Sequence, residues 1–125
     1  MTRADPEAAI YAELLAERVA AVEGQRVALQ AAIESTRSAR SLMFADDEHD
    51  PDGSTASLDQ ARDTALLERA EQTLAALAAA QQRLSSGSYG SCEVCGREIA
   101  SERLMARPET RDCIDCAAKL GRGRR

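Results

Sequence analysis

The chain has 125 residues, 2% aromatic content with no Trp, and a formal net charge of −5. That length allows one compact domain, or an elongated element plus a small module. A first two thirds rich in Ala, Leu, Glu, Gln and Arg argues against a sheet or a thick aromatic core, and the negative charge argues against nonspecific attraction to nucleic acid.

The charge is uneven. Asp46, Asp47, Glu48, Asp50 and Asp52 crowd one short segment, whereas Lys119, Arg122, Arg124 and Arg125 close the chain. No apolar run reaches the length of a membrane span, and the N-terminus lacks a secretory apolar region, so a cytoplasmic protein is expected. Reducing conditions there favour metal thiolates over disulfides.

Asp5-Pro6-Glu7 is a helix start: Asp can cap, Pro suits the first turn, and Glu favours the positive end of the dipole. From there Leu15, Val19, Val22, Arg26, Leu29, Ile33, Thr36, Arg40 and Met43 recur in alternating steps of four and three. This is a coiled-coil seam, interrupted at Arg26, Thr36 and Arg40. The spacing predicts a helix of roughly 35 residues, with Ser35, Thr36, Ser38 and Ser41 weakening its last turns.

Pro51 and Gly53 are expected to break the helix in the acidic segment, and Ser57-Leu-Asp-Gln60 fits a capping box that restarts one. A second seam reads Leu67, Ala70, Leu74, Leu77, Gln81 and Leu84, and Ser85-Ser86-Gly87 ends it. Two seams of similar length with a short connection predict an antiparallel hairpin, an intermolecular coiled coil being the alternative. The expected fold is therefore mainly α. Residues 1–86 form a long antiparallel coiled-coil hairpin with an acidic tip at 44–57. Residues 87–125 form a small C-terminal four-cysteine zinc module with a short C-terminal helix and a basic tail.

The zinc expectation rests on Cys92-Glu-Val-Cys95 and Cys113-Ile-Asp-Cys116, two C-x-x-C pairs with 17 residues between them. Each pair is a knuckle that turns two thiolates toward one point, and two knuckles complete one tetrahedral Zn²⁺. Four thiolates leave no position for water or substrate, so the ion is structural and a module this small depends on it. Gly96 follows the first knuckle, where a positive φ is often needed. A helix is expected from Cys113 to about Leu120, ended by Gly121. A thiol redox switch is the rival reading of the cysteines.

The acidic segment admits three readings. One is a solvated turn. Another is a calcium loop running from Glu48 to Asp59, which departs from the EF-hand pattern at several places. The third is a carboxylate probe reaching Mg²⁺ or basic groups. His49, the only histidine, reads as an exposed turn residue. As a DNA-reading finger the module lacks a long basic recognition helix and aromatic interleaving.

Tyr89-Gly90-x-Cys92-x-x-Cys95-Gly96-x-x-Ile99, then Arg103-Leu104-x-Ala106-x-Pro108, then Cys113-x-x-Cys116 closely resembles the DksA/TraR zinc-finger signature. The resemblance implies a globular zinc module, a protruding coiled coil and a C-terminal helix. It also implies a non-enzymatic regulator that binds bacterial RNA polymerase through the secondary channel and alters initiation. The family's tip pattern is Asp-x-x-Asp-x-Ala. Asp47 and Asp50 match its spacing, while Asp52 stands at the Ala place; a gapless count from Cys92 puts His49, Asp52 and Ser54 there instead.

By resemblance, then, Asp47, Asp50 and Asp52 are the tip residues that contact the polymerase active centre. The gapless count puts Arg69 at a basic position used on the polymerase, and Lys119 on the C-terminal helix is a candidate contact to the channel rim. Some members act with guanosine tetraphosphate; here Ala76 falls where a lysine contributes to that site, which leaves this nucleotide open as a partner. A monomer without membrane attachment or sequence-specific DNA binding is expected. Two other functions stay open: a nucleic-acid-binding zinc protein, and a transcript-cleavage stimulator whose tip carboxylates would chelate a second Mg²⁺.

Overall fold

Four helices account for most of the described residues. The computed structural model describes residues 5–46 and 52–123. Helix α1 spans Asp5–Asp46, α2 spans Asp52–Ser86, α3 spans Ser101–Ala106 and α4 spans Ile114–Gly123. Among the described residues the only β pairing is an isolated antiparallel bridge, Ser91 to Glu98. The fold is mainly α, with α1 and α2 forming a long antiparallel hairpin next to a four-cysteine segment in sequence.

The chain divides into two compact units. One comprises Met1–Ala20 and Thr73–Arg125; the other is Ala21–Gln72. In the first, Tyr11 and Leu15 of α1, Leu77 and Ala80 of α2, and Tyr89, Ile99 and Leu104 are buried. These small apolar contributions along a helix pair suit a sequence with so few aromatic residues. α2 ends in a Schellman arrangement: the Ser88 N–H donates to the Arg83 carbonyl at 2.9 Å and the Gly87 N–H to the Leu84 carbonyl at 3.4 Å. Gly87 takes φ 86° to close it, so the expected stop at Ser85-Ser86-Gly87 is where the helix ends.

In the second unit, Val22 and Ile33 are buried and Leu29, Thr36, Arg26 and Arg40 are half-buried. Facing them, Ala70 is buried and Gln60, Asp63 and Leu67 are half-buried. Two of the polar interruptions of the seam, Arg26 and Arg40, have side-chain partners. Arg26 Nε donates to Glu23 Oε1 at 2.9 Å, and its Nη2 makes a close contact with the same oxygen. This hydrogen bond lowers the Glu23 carboxyl below its ordinary value and raises the Arg26 guanidinium, to which Glu71 of α2 also contributes. Arg40 Nη1 donates to Gln60 Oε1 at 3.1 Å, fixing the antiparallel register.

Four local expectations are corrected. α1 runs 42 residues to Asp46 rather than about 35, because Ser and Thr near its end weaken a helix only slightly once the seam is packed. α2 starts at Asp52, five residues before the capping box at Ser57, and passes through Gly53. A glycine costs about 1 kcal/mol in a helix, which a 35-residue helix tolerates. Gln81 is exposed and Ala80, fully buried, takes its place in the seam. α4 continues past Gly121 to Gly123.

Candidate metal centre

Residues 87–99 build the first knuckle. The Cys92 N–H donates to the Arg97 carbonyl at 2.8 Å, the Ile99 N–H to the Gly90 carbonyl at 2.8 Å, and the Gly96 N–H to the Cys92 carbonyl at 2.9 Å. Gly96 has φ 78°, the left-handed conformation expected of it. The second knuckle opens α4. The Ala117 N–H donates to the Cys113 carbonyl at 2.9 Å, so Cys113 precedes the helix and Cys116 lies in its first turn. Both cysteines of the second knuckle therefore sit at the start of α4.

The four sulfurs meet. Cys92, Cys95, Cys113 and Cys116 place every Sγ within 4.8 Å of the others, and Cys95 and Cys113 are 3.8 Å apart. None of the four is in a disulfide. Tetrahedral Zn²⁺ with Zn–S bonds of about 2.3 Å requires sulfurs about 3.8 Å apart. The donor set thus fits one zinc ion in number, chemistry and spacing. Cys92 and Cys116 are buried, Cys113 is half-buried and Cys95 is exposed.

Two of the thiols depart from their ordinary value in opposite directions. Burial pushes Cys92 up, but hydrogen bonds from the backbone N–H groups of Cys95, Cys113 and Val94 outweigh it and bring the thiol to about 6. Cys116 is pushed up to about 12 by its hydrogen bond to Cys113, then by burial.

Several links tie the knuckles to the rest of their unit. Arg83, near the end of α2, donates from Nη2 to the Thr110 carbonyl at 3.4 Å, and its Nη1 lies 3.8 Å from Glu93 Oε1. Glu93 follows Cys92 directly and also receives the Arg111 guanidinium at 4.0 Å. Arg103 Nε donates to the Asp112 carbonyl at 2.9 Å. On the opposite helix, Arg18 Nη2 reaches the Ala106 carbonyl at 3.5 Å. Sequence reasoning passed over Arg83, whose place one step from the seam and at the last turn of α2 was the available signal. It also passed over Tyr11, which lies four residues before Leu15 in the same seam rhythm.

The other expected site residues fall elsewhere. Asp47 and Asp50 lie outside the described residues; Asp52 is the first residue of α2, and its side chain lies outside them too. Arg69 is exposed on α2 in the unit Ala21–Gln72, and Lys119 is exposed on α4 in the other unit. Ala76 lines a cavity of about 540 Å³ with Arg83, Arg103, Arg107 and Arg111, where Glu109 and Asp112 supply opposing charge. No helix among the described residues is long and apolar enough to cross a membrane.

Comparison with known proteins places the cysteine segment. Residues 87–120 match the family model of the prokaryotic dksA/traR C4-type zinc finger. A protein of Aquifex aeolicus described as uncharacterized is 44% identical over 50 residues, 40% of this chain and 34% of that protein. The RNA polymerase-binding transcription factor DksA of Haemophilus influenzae is 38% identical over 55 residues, 44% of this chain and 33% of that protein. The chain thus spans about a third of the length of the curated relatives it matches. The solved structure of transcription factor DksA2 from Pseudomonas aeruginosa aligns with 95% of this chain and 99% of its own, at 26% identity and a TM-score of 0.55.

Proposed function

From a chain that carries the C4 zinc finger of the DksA/TraR family at residues 87–120, we propose a transcription regulator that binds bacterial RNA polymerase and modulates initiation. The observation that carries this reading is the likeness to DksA2 over 95% of the chain, which takes in the helix pair as well as the finger. The curated relative named for RNA polymerase binding supports the same partner. On this reading the protein is a cytoplasmic monomer and not an enzyme: a four-thiolate zinc ion has no open position and serves structure alone.

The helix pair enters the secondary channel with residues 46–52 foremost. Asp47, Asp50 and Asp52 act electrostatically on the catalytic Mg²⁺ or the mobile elements beside it, since carboxylates are strong ligands and counter-charges for hard cations. Arg69 and Lys119 supply exposed cations for polymerase contact, Lys119 at the channel rim. No base readout of DNA is needed.

The test is a pull-down with purified RNA polymerase, followed by competition with a known channel-binding factor. Retention on polymerase and displacement by the competitor is the expected result. Tight binding to free DNA at moderate salt without polymerase would overturn the reading in favour of a nucleic-acid-binding finger.

A further inference from the structure

Gly24 lies near the middle of the 42-residue helix α1, in the unit Ala21–Gln72. Nothing in its surroundings requires a glycine. It is exposed, and a Cβ built on it would meet no atom within 4 Å. Its backbone does not need one either: the glycines with positive φ among the described residues are Gly87, Gly90 and Gly96. Alanine would fit at this position, and glycine holds a helix less well than any residue except proline. Gly24 therefore weakens α1 locally and contributes nothing to packing or to a turn.

A second weakness falls on the same turns. The buried apolar side chains of α1 among the described residues are Tyr11, Leu15, Val22 and Ile33. Val22 and Ile33 are about three turns apart, and between them the seam is filled by Arg26 and Leu29, both only half-buried. Arg26 gives its side chain to Glu23, on the other side of Gly24, and Glu71 of α2 adds a further attraction. Both members of the Glu23–Arg26 pair are partly exposed. Such a pair at this spacing supports a helix weakly and yields to salt. Helix propensity and apolar burial thus thin out together around Gly24. The division of α1 between the two units, after Ala20, falls about one turn away.

We propose that residues 23–28, centred on Gly24, are a built-in bending point of α1. A long helix opens and bends where its hydrogen-bond ladder is least supported, and here neither the backbone nor the seam supports it well. Resting on the function proposed above, the bending point lets the part of α1 that leads to the acidic segment change direction once polymerase is bound. Affinity then does not depend on it, and the effect on initiation does.

The experiment uses the full, zinc-loaded chain. Hydrogen exchange, corrected for intrinsic rates, reads the amides of residues 25–28, whose helical bonds span Gly24. They are expected to exchange at least about fivefold faster than the amides of residues 14–17, and Gly24→Ala is expected to slow them by about fivefold. Equal protection of the two stretches, or no slowing by Gly24→Ala, would overturn the bending point. Gly24→Ala/Ala31→Gly moves the glycine one heptad along α1 to another exposed position, which keeps the overall helix propensity. Both variants are expected to bind purified bacterial RNA polymerase within about twofold of the wild type and to lose most of the effect on initiation. An undiminished effect in Gly24→Ala, or full recovery in the relocated variant, would overturn the role of the bend. A Kd raised more than about tenfold by Gly24→Ala would make Gly24 a contact and overturn it too. If the wild type does not bind polymerase, the proposed function falls, and the exchange result still decides the bending point.

Discussion

Tyr89 donates its hydroxyl hydrogen bond to the carbonyl of Pro108 at 2.9 Å, in a buried setting. The ring of the same tyrosine lies 5.2 Å from that of Tyr11, tilted by 48°. One residue thus ties the entry to the first knuckle, the link after α3 and the first helix within a single unit. Tilted aromatic pairs at this separation are favourable beyond the area they bury. Tyr89→Phe keeps the ring and leaves the Pro108 carbonyl without its donor. A loss of about 1–3 kcal/mol is expected, measured by urea denaturation of the zinc-loaded protein. An unchanged midpoint would show that water replaces the hydroxyl.

Removing zinc separates the two parts of the account. Four sulfurs within 4.8 Å of one another fit one zinc ion, and a module this small depends on its ion, so chelation is expected to unfold residues 87–120. The hairpin seams do not use the metal, and much of the helicity of α1 and α2 is expected to remain. Circular dichroism with hydrogen exchange across the finger checks both. Finger amides that stay protected after chelation would contradict a structural role for zinc.

Arg83 connects α2 to residues beside both knuckles, with only 14% of its side chain exposed. Arg83→Met keeps the apolar stem and removes both polar links. The expected cost is about 1 kcal/mol, because the contacts are long and Glu93 is partly in solvent. Faster hydrogen exchange at residues 92–97 and 110–113, with zinc still bound, is the accompanying sign. Unaltered exchange would mean the module is held by its apolar contacts alone.

The seams show how much of this could be read in advance. Eight positions of the first seam from Leu15 to Arg40 are buried or half-buried, as their alternating spacing requires. The four cysteines and Gly96 were equally legible, since ligand number and backbone φ are fixed by local chemistry. What failed were decisions made between local and tertiary preferences. Gly53 sits in a helix that a breaker was expected to interrupt. Ala80 took the seam from Gln81 because the true step there is three. The place of Arg83 beside the seam was legible, but its partners, Glu93 and Thr110, were not, because they meet it only through the fold.

Affinity and effect should separate by mutation. Asp47→Asn/Asp50→Asn/Asp52→Asn leaves the seams and finger untouched. Polymerase affinity is expected to stay within about threefold, while the effect on initiation at a responsive promoter is lost. Equal loss of affinity and effect would argue against this division. If the same variant abolishes an enhancement of cleavage in backtracked complexes, the tip serves the polymerase nuclease instead.

The central claim is most directly tested by competition for the polymerase. The labelled, zinc-loaded chain is bound to purified RNA polymerase and challenged with a factor known to occupy the secondary channel. The account predicts that the chain binds without DNA and is displaced stoichiometrically by the competitor. Binding that persists at saturating competitor would place the chain elsewhere on the enzyme and contradict the account.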